Sequence, residues 1–152
     1  MLLAYRLPRE PSTPRIAVWR RLRRLGAAQI LDGLVALPAD ARTREQLEWV
    51  AGEVLGAGGE ATVWLGRPGS AADERRLVAD MAAKVSDEYR AVIHEAEQVS
   101  TVEIGIVPRR SLGRWGRELQ RIGRRDFFPP PERNEAHEII TRLGAGSAKV
   151  EK

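Results

Sequence analysis

Three short β-type runs and two capped helical stretches alternate through the first 66 residues, and few folds accept that alternation. Residues 2–5 form an apolar run of strand length, ended by Pro8 and Pro11. Ser12 or Thr13 can cap the helix that follows, and Pro14 is preorganised for its first turn. Trp19, Leu22 and Leu25 recur along this helix with Ile16 and Val18 beside them, and Gly26 closes it. Residues 29–37 are β-like again, broken by an Asp32-Gly33 pair that reads as a hairpin turn or bulge. Thr43-Arg44-Glu45-Gln46 fits a capping box for a second helix that buries Leu47, Val50, Val54 and Leu55. Gly58-Gly59 ends that helix, and residues 61–65 are the last β-type run.

Strand, helix, strand hairpin, helix, strand is the split βαβ order. The fold class expected is therefore α+β: a ferredoxin-like βαββαβ unit over residues 1–66 with a helical C-terminal extension. The extension, residues 67–143, is expected to pack on that unit within one domain. Ser70-Ala71-Ala72-Asp73 can cap its long first helix, with Leu77, Met81, Val85, Tyr89, Val92 and Ile93 at helical spacing. Residues 100–108 read as a loop or a short extra strand. A helix over 110–125 is stopped by Phe127-Phe128-Pro129-Pro130-Pro131, and a short helix over 132–143 precedes a loose tail, 144–152.

The chain's 152 residues suit one domain, and its apolar runs fall far short of the roughly 20 residues that span a bilayer. Met1-Leu2-Leu3 carries no basic n-region and leads straight into a charged loop, so no signal peptide, no membrane and a cytoplasmic location are expected. The absence of cysteine excludes disulfides, thiolate metal sites and thiol redox chemistry by this chain. The net charge of +4 is segregated. Residues 1–30 hold seven Arg against one Glu, and residues 109–133 hold eight Arg against three acids. Between them, residues 31–108 carry fourteen acids and seven bases. Only three of the 25 basic residues are Lys, and Arg is the better bidentate partner for oxyanions. A GC-rich genome accounts equally well for Arg over Lys, though not for the clustering.

The sharpest pattern lies in the 110–125 helix. Arg110, Arg114, Arg117, Arg121 and Arg124 step by four, three, four and three, one continuous stripe opposite Leu112, Trp115, Leu119 and Ile122. Such a face can track a phosphate backbone; it also fits a solvated face paired with the acidic middle segment. The first helix repeats the idea with Arg20, Arg23 and Arg24, under the same two readings. Gly56-Ala57-Gly58-Gly59 has the composition of a phosphate loop but follows a helix, so it reads as a helix end. His94 and His137 lack metal-site spacing and read as ordinary surface or half-buried residues. No Ser/His/Asp set can be assembled, so no metal, cofactor or catalytic residue is expected. Trp19, Trp49, Trp64 and Trp115 each fall on an apolar face and are expected in the core.

The stretch "LLAYRLPREPSTPRIAVWRRLRRLGAAQILDGLVALPADARTREQLEWVAGEVLGAGGEATVWLGRPGS", with the later "DEYRAVIHEAE" and "ELQRIGRRDFFPPPER", resembles the N-terminal domain of the chromate-resistance ChrB family. The resemblance implies a cytoplasmic bacterial protein encoded with a chromate efflux pump and acting as a chromate-responsive transcriptional regulator. Promoter DNA and the chromate anion are then the partners to expect, with a C-terminal domain that is separate or missing from this chain. The strand-loop-helix start is also similar to the middle domain of PaaX-type repressors and to ferredoxin-like nucleases of CRISPR spacer acquisition. Those nucleases end the first strand on an Asp that holds a metal; here Tyr5-Arg6-Leu7-Pro8 puts Arg6 there. An arginine repels Mg²⁺, so cleavage is not expected. Related ferredoxin-like domains pair through their sheets, which implies a homodimer. Three readings follow: a DNA-binding regulator using its Arg-rich helices, an oxyanion sensor or dimerisation domain, and, least supported, a nuclease-like or chromate-reducing enzyme.

Overall fold

The computed structural model describes residues 1–102 and 107–150. Among them the element order is β1 (Leu2–Arg6), α1 (Thr13–Leu25), β2 (Ala28–Leu31), β3 (Leu34–Ala36), α2 (Ala41–Gly56), β4 (Glu60–Trp64), α3 (Ala71–Val102), α4 (Arg109–Gly123) and α5 (Glu132–Val150). The chain forms two compact units, Met1–Met81 and Ala82–Lys152, and the division falls inside α3.

The first unit is mixed α/β. Its four strands make one sheet in the order β2-β3-β1-β4, every neighbouring pair antiparallel. Central β1 sets the register: Leu3 faces Val35 on β3 and Val63 on β4. Directly opposed residues share a face, and Leu3 and Val35 are buried where Val18, Leu22, Leu47, Val50 and Val54 of α1 and α2 complete the core. Gly33 makes the β2–β3 hairpin possible. Its φ is +77°, its carbonyl accepts from Tyr5 N–H at 2.7 Å, and a Cβ there would lie 2.3 Å from the Tyr5 carbonyl oxygen. Only glycine fits. Gly26 closes α1 in the left-handed conformation, as its position in the sequence implies.

Several expectations need correction. The capping box of α2 opens three residues earlier, on Asp40: its carboxylate accepts from Thr43 N–H at 2.7 Å, while Thr43 Oγ1 accepts from Asp40 N–H at 3.1 Å. Thr43 is the third helical residue and wholly buried, and its hydroxyl also donates to the Pro38 carbonyl. Leu55 is exposed, because it lies off the face that Leu47, Val50 and Val54 share. Trp19, Trp49 and Trp64 are exposed as well, 66% in the case of Trp49. Of the four tryptophans only Trp115, 1% exposed, is a core residue.

The second unit is helical. The later part of α3 supplies Val85, Tyr89, Val92, Ile93 and Ala96, which pack with Trp115, Leu119 and Ile122 of α4 and Ala136 and Ile139 of α5. Tyr89 Oη donates to Asp126 Oδ2 at 3.0 Å, and the Asp126 side chain is only 1% exposed, with Arg133 at 3.8 Å. Burial and that carboxylate push the Tyr89 pKa up to about 12. Residues 103–106, within the stretch read as loop or strand, lie outside the described residues. Helix α5 continues past 143, where a tail was expected, to Val150. Buried Ser147 anchors the roughly two added turns: its hydroxyl accepts from Val107 N–H at 3.1 Å and donates to the Leu143 or Val107 carbonyl.

Candidate anion-binding faces

Helix α4 is built as its periodicity implies. Trp115, Leu119 and Ile122 are buried and Leu112 partly so, which turns Arg110, Arg114, Arg117 and Arg121 to solvent. Arg124, just beyond the last turn, is exposed too. The stripe is not uniformly paired. Arg114 pairs with Glu95 of α3, and Arg121 with Glu118 one turn back, its Nε 3.0 Å from Glu118 Oε2. The hydrogen bonds to Glu118 raise the Arg121 pKa further. Arg110 and Arg117 have no acidic partner among the described residues. Among the described residues, two guanidiniums of the stripe are thus paired with carboxylates and two are not. Arg125, which the stripe does not include, is spent on Glu88, its Nε 3.1 Å from Glu88 Oε1.

On α1, Val18 and Leu22 turn inward and Arg20, Arg23 and Arg24 are exposed. Arg21, on the flank, pairs with Glu53 of α2 at 2.9 Å. Arg23 lies over the Trp19 ring, 4.8 Å from its centroid, so this exposed indole is covered by a cation. Arg20 and Arg24 have no acidic partner among the described residues. Each stripe is a property of its own unit: α1 belongs to the first, α4 to the second.

At the end of β1, Arg6 pairs with Glu60 of β4 at 2.8 Å across the strand ladder, both side chains exposed. The Gly56–Gly59 stretch follows α2, with Gly58 at φ +77°, and is a helix end. His94 and His137 are exposed. Sequence reading missed a groove between α1 and α2, lined by Arg21, Arg24, Leu25, Gln46 and Trp49. The available signal was helical phase: at about 100° per residue, Trp49 sits far from the arc of Leu47, Val50 and Val54.

These features define a class: a small α/β unit continued by a helical unit, each presenting an arginine-rich helix face. The chain belongs to the ChrB N-terminal family; the model of Protein ChrB, N-terminal, matches residues 15–105, more than half of its 152 residues. Membership fits a role in chromate-resistance regulation. No curated protein and no solved structure matches the chain. No helix among the described residues is long and apolar enough to cross a membrane.

Proposed function

We propose that this chain is a chromate-responsive transcriptional regulator, or its N-terminal part, that grips DNA phosphates through the exposed arginines of α4 and α1. The observation that carries this reading is Arg110 and Arg117: two guanidiniums with no acidic partner among the described residues, seven residues apart on one face of a docked helix. An arginine already neutralised by a carboxylate has little to gain from a phosphate, whereas an uncompensated one releases counterions. Family membership adds the link to chromate. We also assign the first unit to the ferredoxin-like βαββαβ folds, supported by its element order and by the all-antiparallel order β4-β1-β3-β2. It does not cut nucleic acid: Arg6, paired to Glu60, holds the place where related nucleases carry a metal-binding carboxylate.

A second reading, a dimerisation or oxyanion-sensing domain, is favoured by edge strand β2, where Ile30 and Leu31 are exposed. Titration of the protein's own promoter DNA, with and without chromate, separates the two. The regulator reading expects DNA binding that chromate weakens; chromate binding without any DNA binding supports the sensor.

A further inference from the structure

The groove between α1 and α2 contains three features that ordinary packing does not explain. Gln46 Oε1 is buried and has no hydrogen-bond partner among the described residues. A buried acceptor without a donor is costly, and native proteins rarely leave one idle. Trp49, beside it, leaves 66% of its surface to water although it is the largest apolar side chain on α2. Opposite stand Arg21 and Arg24 of α1, with Leu25 as an apolar floor. Arg21 is committed to Glu53, which leaves Arg24 as the groove's cation without an acidic partner among the described residues.

We propose that this groove binds a nucleotide. An aromatic base stacks on the Trp49 indole, a ring or exocyclic N–H of that base donates to Gln46 Oε1 once the half-buried Gln46 side chain turns it into the groove, and the phosphate sits on Arg24. Each part answers one unexplained feature: a π-face needs a flat partner, a buried acceptor needs a donor, and a free guanidinium needs an oxyanion. The groove's volume, about 290 Å³, limits the occupant to one base. The ligand is thus either a free nucleotide or one unpaired nucleotide of a single strand. The groove shares Arg24 with the phosphate-tracking face, but its occupancy does not depend on duplex binding.

Isothermal calorimetry on the full chain tests this with AMP, adenosine, ribose 5-phosphate and a short oligo(dA). AMP should bind, adenosine more weakly, and ribose 5-phosphate, lacking a base, least. Trp49→Ala should weaken AMP about tenfold or more by removing the stacking surface. Gln46→Leu should also weaken AMP, yet leave the thermal midpoint equal or higher, because it deletes a buried acceptor that lacks a donor. Trp64→Ala, an exposed tryptophan on β4, should bind AMP like the wild type. Tighter binding of oligo(dA) than of AMP assigns the site to a strand, equal binding to a free nucleotide; both support the groove. Absence of heat with AMP and oligo(dA) alike overturns the proposal, as does wild-type AMP affinity in both Trp49→Ala and Gln46→Leu. Promoter duplex binding is measured in parallel. If it survives while AMP fails to bind, only the groove proposal falls; if it is absent while AMP binds, only the phosphate-tracking reading falls.

Discussion

Replacing Arg110 and Arg117 together by Ala removes two positive charges from α4 without breaking an ion pair among the described residues. Each phosphate neutralised contributes a slope of about −0.9 to log affinity against log salt. If both guanidiniums meet phosphates, the slope should flatten by about 1.8, and at about 0.1 M salt the affinity should fall about 60-fold. The loss should be nearly uniform across DNA sequences, because phosphate contacts position the protein without reading bases. Arg114→Ala with Arg121→Ala should flatten the slope less, since those guanidiniums begin neutralised by Glu95 and Glu118. Filter binding over a salt series with promoter and unrelated duplexes reads both quantities. The thermal midpoint should hold, as the two side chains are exposed and Ala is a better helix former than Arg. A wild-type slope from a folded Arg110→Ala/Arg117→Ala protein that still binds DNA would refute the reasoning and remove α4 from the interface.

Tyr89 keeps its proton to about pH 12 in the folded chain but loses it near 10 once unfolded. Stability should therefore decline as pH rises from about 10 toward 12, and Tyr89→Phe should reduce that alkaline decline in urea titrations, leaving the part that comes from Tyr5, whose pKa burial also raises. At neutral pH the same substitution should cost about 1–3 kcal/mol, since it takes a donor from the buried Asp126 carboxylate. Thr43→Val should lower stability by about 1–3 kcal/mol in urea denaturation, because a methyl cannot replace the hydroxyl that serves Asp40 N–H and the Pro38 carbonyl. Incubation of plasmid or linear duplex with Mg²⁺ or Mn²⁺ should leave it intact; cleavage lost in Glu10→Ala or Asp32→Ala would overturn the non-catalytic reading.

Order and type of the elements were legible because local chemistry announces them. Pro14, Gly26, the Asp32-Gly33 turn and Ser70 each act within a few residues, and each is where the structure uses it. The second unit's core was equally plain, since Trp115, Leu119 and Ile122 repeat on one arc of α4. The α2 cap was read three residues late because Thr43 and Asp40 are both good capping residues, and only the reciprocal bonds between them, with the Thr43 hydroxyl on the Pro38 carbonyl, mark Thr43 as the third helical residue. The end of α5 was hidden by Gly144 and Gly146, whose weak propensity is offset by the distant Val107–Ser147 bonds. The arginine stripe could be drawn from spacing alone, but its ion pairing could not. Glu95 neutralises Arg114 from another helix, and no spacing within α4 reveals that. The groove at Trp49 was lost to the habit of assigning large aromatics to the interior.

That distribution of indoles divides the chain's optical signals. Three tryptophans sit at the water boundary of the first unit, and Trp115 alone lies in a dry, asymmetric environment in the second. Native emission should thus already be weighted to the red, and unfolding of the first unit will shift it little. The near-ultraviolet ellipticity, by contrast, should be dominated by Trp115 and vanish with the second unit's packing. The midpoint of that signal, set against the midpoint of the far-ultraviolet ellipticity, to which the strands and helices of both units contribute, therefore tells whether the two units melt together, with no label and no added probe.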